Sequence, residues 1–174
     1  MGVYLKPMSR VAIILTLVLL NVSCDQLSKK MVRNKLDSNE RIQVINHNLI
    51  LTKVENSGAA YSFGSDWNPI VKGIILKIIP AIVLIVLLGM TLLRTEYPKI
   101  VMIGFTFVIG GGIGNVFDRI VYGSVTDFLY VDLGFFATEI FNMADVSIVI
   151  GALIILGHTL IVKKDTISLN ESPE

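Results

Sequence analysis

Residues 99–119 read KIVMIGFTFVIGGGIGNVFDR. From 97 to 117 there is no Asp or Glu, and the run then ends in Asp118-Arg119. A carboxylate in hydrocarbon costs several kcal/mol, so an acid-free apolar window of about 20 residues is what a membrane-spanning helix requires. Three more acid-free windows lie at 1–24, 67–95 and 146–164, all rich in Ile, Leu, Val, Met and Gly. They predict a four-helix membrane bundle with spans at about 8–26, 70–93, 99–117 and 141–162. At about 1.5 Å per residue, each can cross a hydrocarbon core of about 30 Å.

Composition points the same way. The 174 residues are 53% hydrophobic and 17% charged, with a mean hydropathy of +0.70. Soluble domains carry about 25% charged residues. A net charge of +1 excludes a basic nucleic-acid footprint. Such hydrophobicity excludes disorder for most of the chain. The one cysteine, Cys24, makes neither an internal disulfide nor a cysteine-rich metal site. A single domain is expected over 1–164, with a polar, disordered tail at 165–174.

Two spans have special features. Lys6 and Arg10 precede the apolar run 11–24, which ends in Val22-Ser23-Cys24. This is the form of a signal peptide with a partial lipoprotein cleavage box. Asn21 stands where that box needs an apolar residue, and three further spans follow, so a retained first helix is favoured. In the second span Lys72 and Lys77 can snorkel towards the interface, and Pro80 is a candidate kink. Four spans put both termini on one side. With the termini inside, inner segments hold six Lys and Arg and outer loops hold seven, so the positive-inside rule does not choose.

Outside the spans, 27–69 and 118–140 are read as a small β-rich cap. Residues 27–36 continue helical composition. Residues 41–45 and 49–54 read as strands around the turn-like Asn46-His47-Asn48, and 125–133 is a third, imperfectly alternating strand.

Five acids crowd between the last two spans: Asp118, Asp127, Asp132, Glu139 and Asp145. A helix starting near Phe141 would put Asp145 about 6 Å below its entry point, where an ionisable group is a functional candidate. Asn142 shares its helical face with Asp145, as Asn115 does with Asp118. Arg119 is expected to neutralise Asp118, and Asp25 to pair with Lys29 at i+4. The glycines at 110, 111, 112 and 114 permit close helix packing. Segment 56–63, from Asn56 and Gly58 to Phe63, is small and polar, then aromatic, and admits a close peptide backbone. His47 and His158 are isolated, and HExxH, CxxC, GxSxG and P-loop patterns are absent. No metal or cofactor is expected.

Together these blocks resemble the lipoprotein signal peptidase (signal peptidase II) family over nearly the whole chain. They are Asp-Gln-Leu-Ser-Lys at 25–29, Asn-Ser-Gly-Ala-Ala-Tyr-Ser-Phe at 56–63, Gly-Gly-Ile-Gly-Asn-Val-Phe-Asp-Arg at 111–119, Gly-Ser-Val-Thr-Asp-Phe at 123–128 and Phe-Asn-Met-Ala-Asp at 141–145. Tyr61 and Thr126 depart from the usual Phe and Val without removing a group the chemistry needs. The resemblance implies a bacterial inner-membrane aspartyl endopeptidase with both termini cytoplasmic and its site near the outer face. It implies removal of signal peptides from diacylglyceryl-modified prolipoproteins, before the lipidated cysteine. It assigns the catalytic pair to Asp127 and Asp145, with Asp25, Lys29, Asn56, Gly58, Asn115, Asp118, Arg119 and Asn142 in support. Prolipoproteins and membrane lipid are the implied partners, nucleic acid is not, and one complete dyad per chain makes a monomer sufficient. A rival dyad pairs Asp118 with Asp145. A rival class is a small proton- or ion-coupled transporter, although such sites usually lie near the midplane between repeats.

Overall fold

The computed structural model describes residues 7–38, 40–59 and 62–170, with side chains from 8 to 162. Four helices are long and apolar enough to span a membrane. They are α1 (Pro7–Lys35), α2 (Pro69–Leu93), α3 (Lys99–Val121) and α4 (Met143–Asn170). A three-stranded antiparallel sheet, β1 (Arg41–Ile45), β2 (Leu49–Asn56) and β3 (Val125–Val131), caps one end of the bundle in the order β1-β2-β3. The expected class, a mainly α membrane bundle with a small β-rich cap, is the one observed.

The helix α3 is the core of the bundle. It packs on α1, α2 and α4, and over half of its apolar window is buried, against 6–17% for the other three. Its glycines explain this. A methyl group on Gly110 would lie 2.5 Å from Asn21 of α1, and one on Gly112 would lie 2.5 Å from Leu84 of α2. Gly111 and Gly114 face Ala144 of α4, Gly114 also meeting Asp25 of α1. Small residues on three sides of α3 therefore let three helices pack onto it. The other helices turn Leu, Ile and Val outwards, as a lipid-facing surface requires.

Four helical features refine the sequence reading. The first helix runs on without a break through Cys24 to Lys35, as the composition of 27–36 indicated. Pro80 does not break α2. The helix takes a π turn over Ile74–Ile78 just before it, absorbing the missing amide donor. The fourth helix continues through 165–170, where an unstructured tail was expected, and 171–174 lie outside the described residues. Arg10 reads as a positive flank of the first span, yet it is buried. Its guanidinium donates to the carbonyls of Thr91, Arg94 and Thr95, capping the C-terminal end of α2.

Strand β3 alternates poorly for a physical reason. Val125, Thr126, Asp127 and Phe128 are all buried, because this end of the strand is covered on both faces. Val54 of β2 pairs with Asp127. On the other edge, Phe141 exchanges backbone hydrogen bonds with Leu129 at 2.8 and 2.9 Å. That contact delivers the start of α4 directly beside Asp127.

Candidate active site

The start of α4 is built by a reciprocal cap. Asn142 Oδ1 accepts from the Asp145 amide and Asp145 Oδ2 accepts from the Asn142 amide, both at 3.1 Å. This is a capping box with Asp in the third helical position, which is why the two residues lie three apart. Asp145 therefore sits in the first turn of α4, nearer the helix mouth than a start at Phe141 would place it. Asp25 Oδ1 accepts from the Ala144 amide at 2.9 Å and adds a second cap.

Asp127 and Asp145 both line a cavity of about 360 Å³ at the junction of bundle and cap. Two asparagines connect them. Asn142 Nδ2 donates to Asp127 Oδ1 at 2.6 Å, and Asn115 Nδ2 donates to Asp145 Oδ1 at 2.8 Å. Asn56 Nδ2 donates to the other Asp127 oxygen at 3.1 Å. Each carboxylate thus accepts on both oxygens and is fixed in place. Burial pushes the Asp127 carboxyl up to about 6. The Asn142 and Asn56 amides and the Lys29 charge oppose this, and the nearby Asp145 charge adds to it. Ile140, Phe141, Ile148 and Val149 give the cavity an apolar wall that descends along α4.

The segment after β2 closes the cavity's other side. Asn56 Oδ1 accepts from the Gly58 amide, and Asn56 Nδ2 donates to the Ala59 carbonyl. Arg119 Nη2 donates to the Gly58 carbonyl at 2.9 Å. Gly58 is packed so closely that a methyl group there would meet the Ser62 backbone at 2.6 Å. Asn56, Ala59, Ser62 and Arg119 all line the cavity. Of the segment 56–63, residues 60 and 61 lie outside the described residues.

Behind the cavity lies a buried ionic group that does not line it. Lys29 Nζ lies 2.9 Å from both Asp25 and Asp118 and donates to Asn115 Oδ1 at 3.0 Å. All three of its protons are used. Arg33 lies 2.9 Å from Asp118 and donates to Thr126 Oγ1 at 2.7 Å. Gln26 bridges the two acids, donating 3.0 Å to each.

The expected pairing of Arg119 with Asp118 is therefore wrong. Consecutive helical residues point about 100° apart. Asp118 faces α1, while Arg119 faces the cap. The expected Asn115–Asp118 pairing fails too, since Asn115 turns to Asp145 and Lys29. The Asp25–Lys29 pair is as expected. The glycines of α3 are helix contacts, as expected. Gln26 and Arg33 were missed as members of this group, although Asp25, Lys29 and Arg33 form an i, i+4, i+8 ladder that signals one face. His47 Nδ1 lies 3.2 Å from Gln43 Nε2 in an exposed turn.

A family model described as "Signal peptidase (SPase) II" matches residues 17–161. The lipoprotein signal peptidase of Neisseria gonorrhoeae is 35% identical over 150 residues, covering 86% of this chain and 90% of the relative. That of Moorella thermoacetica is 33% identical, covering 84% and 92%. A solved structure titled as a bacterial membrane enzyme, obtained in meso at 2.3 Å, aligns with a TM-score of 0.77 and 26% identity over 94% of each chain. A second, at 1.9 Å, gives a TM-score of 0.75 over 86% of this chain and 93% of its own.

Proposed function

Because the chain belongs to the signal peptidase II family, and so to a family of peptidases, we propose that it is an aspartyl endopeptidase that removes signal peptides from diacylglyceryl-modified prolipoproteins. Cleavage falls just before the lipidated cysteine. The enzyme is a multi-pass protein of the bacterial inner membrane, with both termini cytoplasmic and the cavity near the outer face. Membership in a peptidase family replaces the transporter reading.

The observation that carries the mechanism is that Asp127 and Asp145 line one cavity, each held by an amide of the Asn115–Asn142 pair. Two nearby carboxylates do not both ionise easily, so in the proposed mechanism they share one proton. Burial raises the Asp127 carboxyl, which favours Asp127 as the holder of that proton. Asp145 is then the ionised base that takes a proton from water as the water attacks the scissile carbonyl. Asp127 donates a hydrogen bond to the carbonyl oxygen. A proton then passes to the leaving amine, the C–N bond breaks, and the dyad returns to one proton. Arg119, Ala59 and Ser62 hold the peptide backbone. Asp118 does not line the cavity and is surrounded by Lys29, Arg33 and Gln26, which supports Asp127 over it as the partner of Asp145.

The apolar wall formed by Ile148 and Val149 suits acyl chains that remain in lipid while the peptide bond reaches the carboxylates. The test is cleavage of a diacylglyceryl-modified prolipoprotein peptide by purified protein. Wild type is expected to cut before the modified cysteine, and Asp127→Asn and Asp145→Asn to be inactive. Cleavage retained in both variants overturns the dyad.

A further inference from the structure

A second groove, about 360 Å³, lies at the cap end of α1, separate from the peptidase cavity. Its lining includes Leu27, Lys30 and Arg33 of α1, Phe117 of α3, and Tyr122 just beyond it. We propose that this groove binds one anionic phospholipid, with its phosphate at Lys30 and its acyl chain along Leu27 and Phe117.

Depth supports this occupant. With 29 residues, α1 is about 44 Å long, against a hydrocarbon core of about 30 Å. The last turns of α1 therefore rise out of the core. Leu27 and Phe117 lie where the expected spans 8–26 and 99–117 end, at the edge of the hydrocarbon core, and both are exposed despite their size. Lys30 and Arg33 lie one to two turns higher, where lipid phosphates sit. Tyr122 stands at the same level, the usual place for an interfacial aromatic ring.

Charge complementarity supports it as well. Lys29 and Arg33 are balanced by Asp25 and Asp118 in the buried ionic group. That leaves Lys30 as the uncompensated cation of the groove. It is exposed, and no described residue pairs with it. The Arg33 guanidinium is held at 3.9 Å over the Tyr122 ring, with its Nη2 2.9 Å from Asp118. The groove thus offers one net positive charge above an apolar floor, which matches a phosphodiester above a hydrocarbon chain. Because this site lies apart from the dyad, it stands or falls independently of the proposed cleavage reaction.

The experiment uses the full chain, delipidated in zwitterionic micelles. Phosphatidylglycerol and phosphatidylcholine with the same acyl chains are titrated separately. Native mass spectrometry counts bound lipid, and thermal unfolding follows stabilisation. Wild type is expected to retain one phosphatidylglycerol, bound about fivefold or more tightly than phosphatidylcholine, as one interfacial lysine would give. Lys30→Glu is expected to lose that preference while keeping peptidase activity in the micelles. Lys35→Glu, exposed but outside the groove, is expected to keep it. Equal binding of the two lipids overturns the proposal, as does an unchanged preference in Lys30→Glu. Inorganic phosphate that stabilises as well as phosphatidylglycerol shows a free-anion site instead. A dimer that Leu27→Arg abolishes places a second chain in the groove, and this too overturns it.

Discussion

The Asn142 amide lies 2.6 Å from Asp127, while the carbonyl oxygen of the same side chain caps the Asp145 amide. One side chain thus sets the spacing of both carboxylates. The two roles can be separated by substitution. Asn142→Ser keeps a good N-cap but is too short to reach Asp127, so it is expected to unfold near the wild-type temperature and to lose about 100-fold in kcat. Asn142→Ala loses both, adding about 1 kcal/mol of destabilisation. Thermal unfolding and peptide cleavage measured on both variants check this. Full activity in Asn142→Ser shows that the contact to Asp127 is dispensable.

The raised Asp127 carboxyl gives a pH dependence with a definite sign. An unfolded Asp titrates near 3.8, and the folded one near 6. Between these values the folded state binds more protons. This contribution to stability is fully present below about 4 and is lost as pH rises through about 6. Wild type is expected to lose stability across that window, and Asp127→Asn to lack that slope. Thermal unfolding from acid to neutral pH measures it. In the same preparation, the alkaline limb of kcat/KM is expected at about 6 or above, far from an ordinary carboxylate.

Gly58→Ala tests the segment over the cavity. The added methyl group meets backbone atoms of Ser62 and Phe63, which cannot rotate away as a side chain would. The turn held by Asn56 and Arg119 must then open. Cleavage is expected to fall at least about 10-fold, since a small misplacement near the reacting bond is costly. Unfolding temperature is expected to change little, because the turn lies outside the bundle. A variant of wild-type activity removes this segment from the site.

Lys29→Met removes the cation between two buried acids. Breaking a buried pair by deleting one partner costs about 3–5 kcal/mol, and Asn115 Oδ1 loses one of its two donors, keeping only Asn142 Nδ2. Lower stability and lower kcat are expected together. Chemical denaturation in mixed micelles gives the first and the cleavage assay the second.

Arg10→Gln tests the far end of the bundle. Three carbonyls at the end of α2 lose a cationic donor. A loss of about 1–2 kcal/mol is expected, as for other cations at helix C-termini. Activity per folded molecule is expected to be unchanged, because the contact lies at the opposite end of α3 from Asn115 and Arg119.

The spans and strands were legible because one signal, the absence of acids, is imposed by lipid, and another, turn chemistry at Asn46-His47-Asn48, is local. Asn46 indeed adopts a positive φ of 45° there. Pairing across helices was harder. Sequence adjacency linked Arg119 to Asp118, but the helical twist sends them to different neighbours. The real partners of Asp118, Gln26, Lys29 and Arg33, lie on a helix far away in sequence. The depth of Asp145 was misjudged because Asn142 forms a cap, and a cap is recognised only once the chain before it is seen paired with β3.

The buried ionic group also bears on how the chain is assembled. When α1 is synthesised, Asp25 and Lys29 can pair at once, being one turn apart. Arg33 must wait for Asp118, which arrives only at the end of the third helix. Until then α1 and the α2 that follows it form an unfinished half, joined at the far end by Arg10. Ribosomal order therefore makes the arrival of α3 the step that completes the ionic group, before α4 docks against α3. The cap strand β3, which follows immediately, is laid down over three helices whose buried charges are already matched.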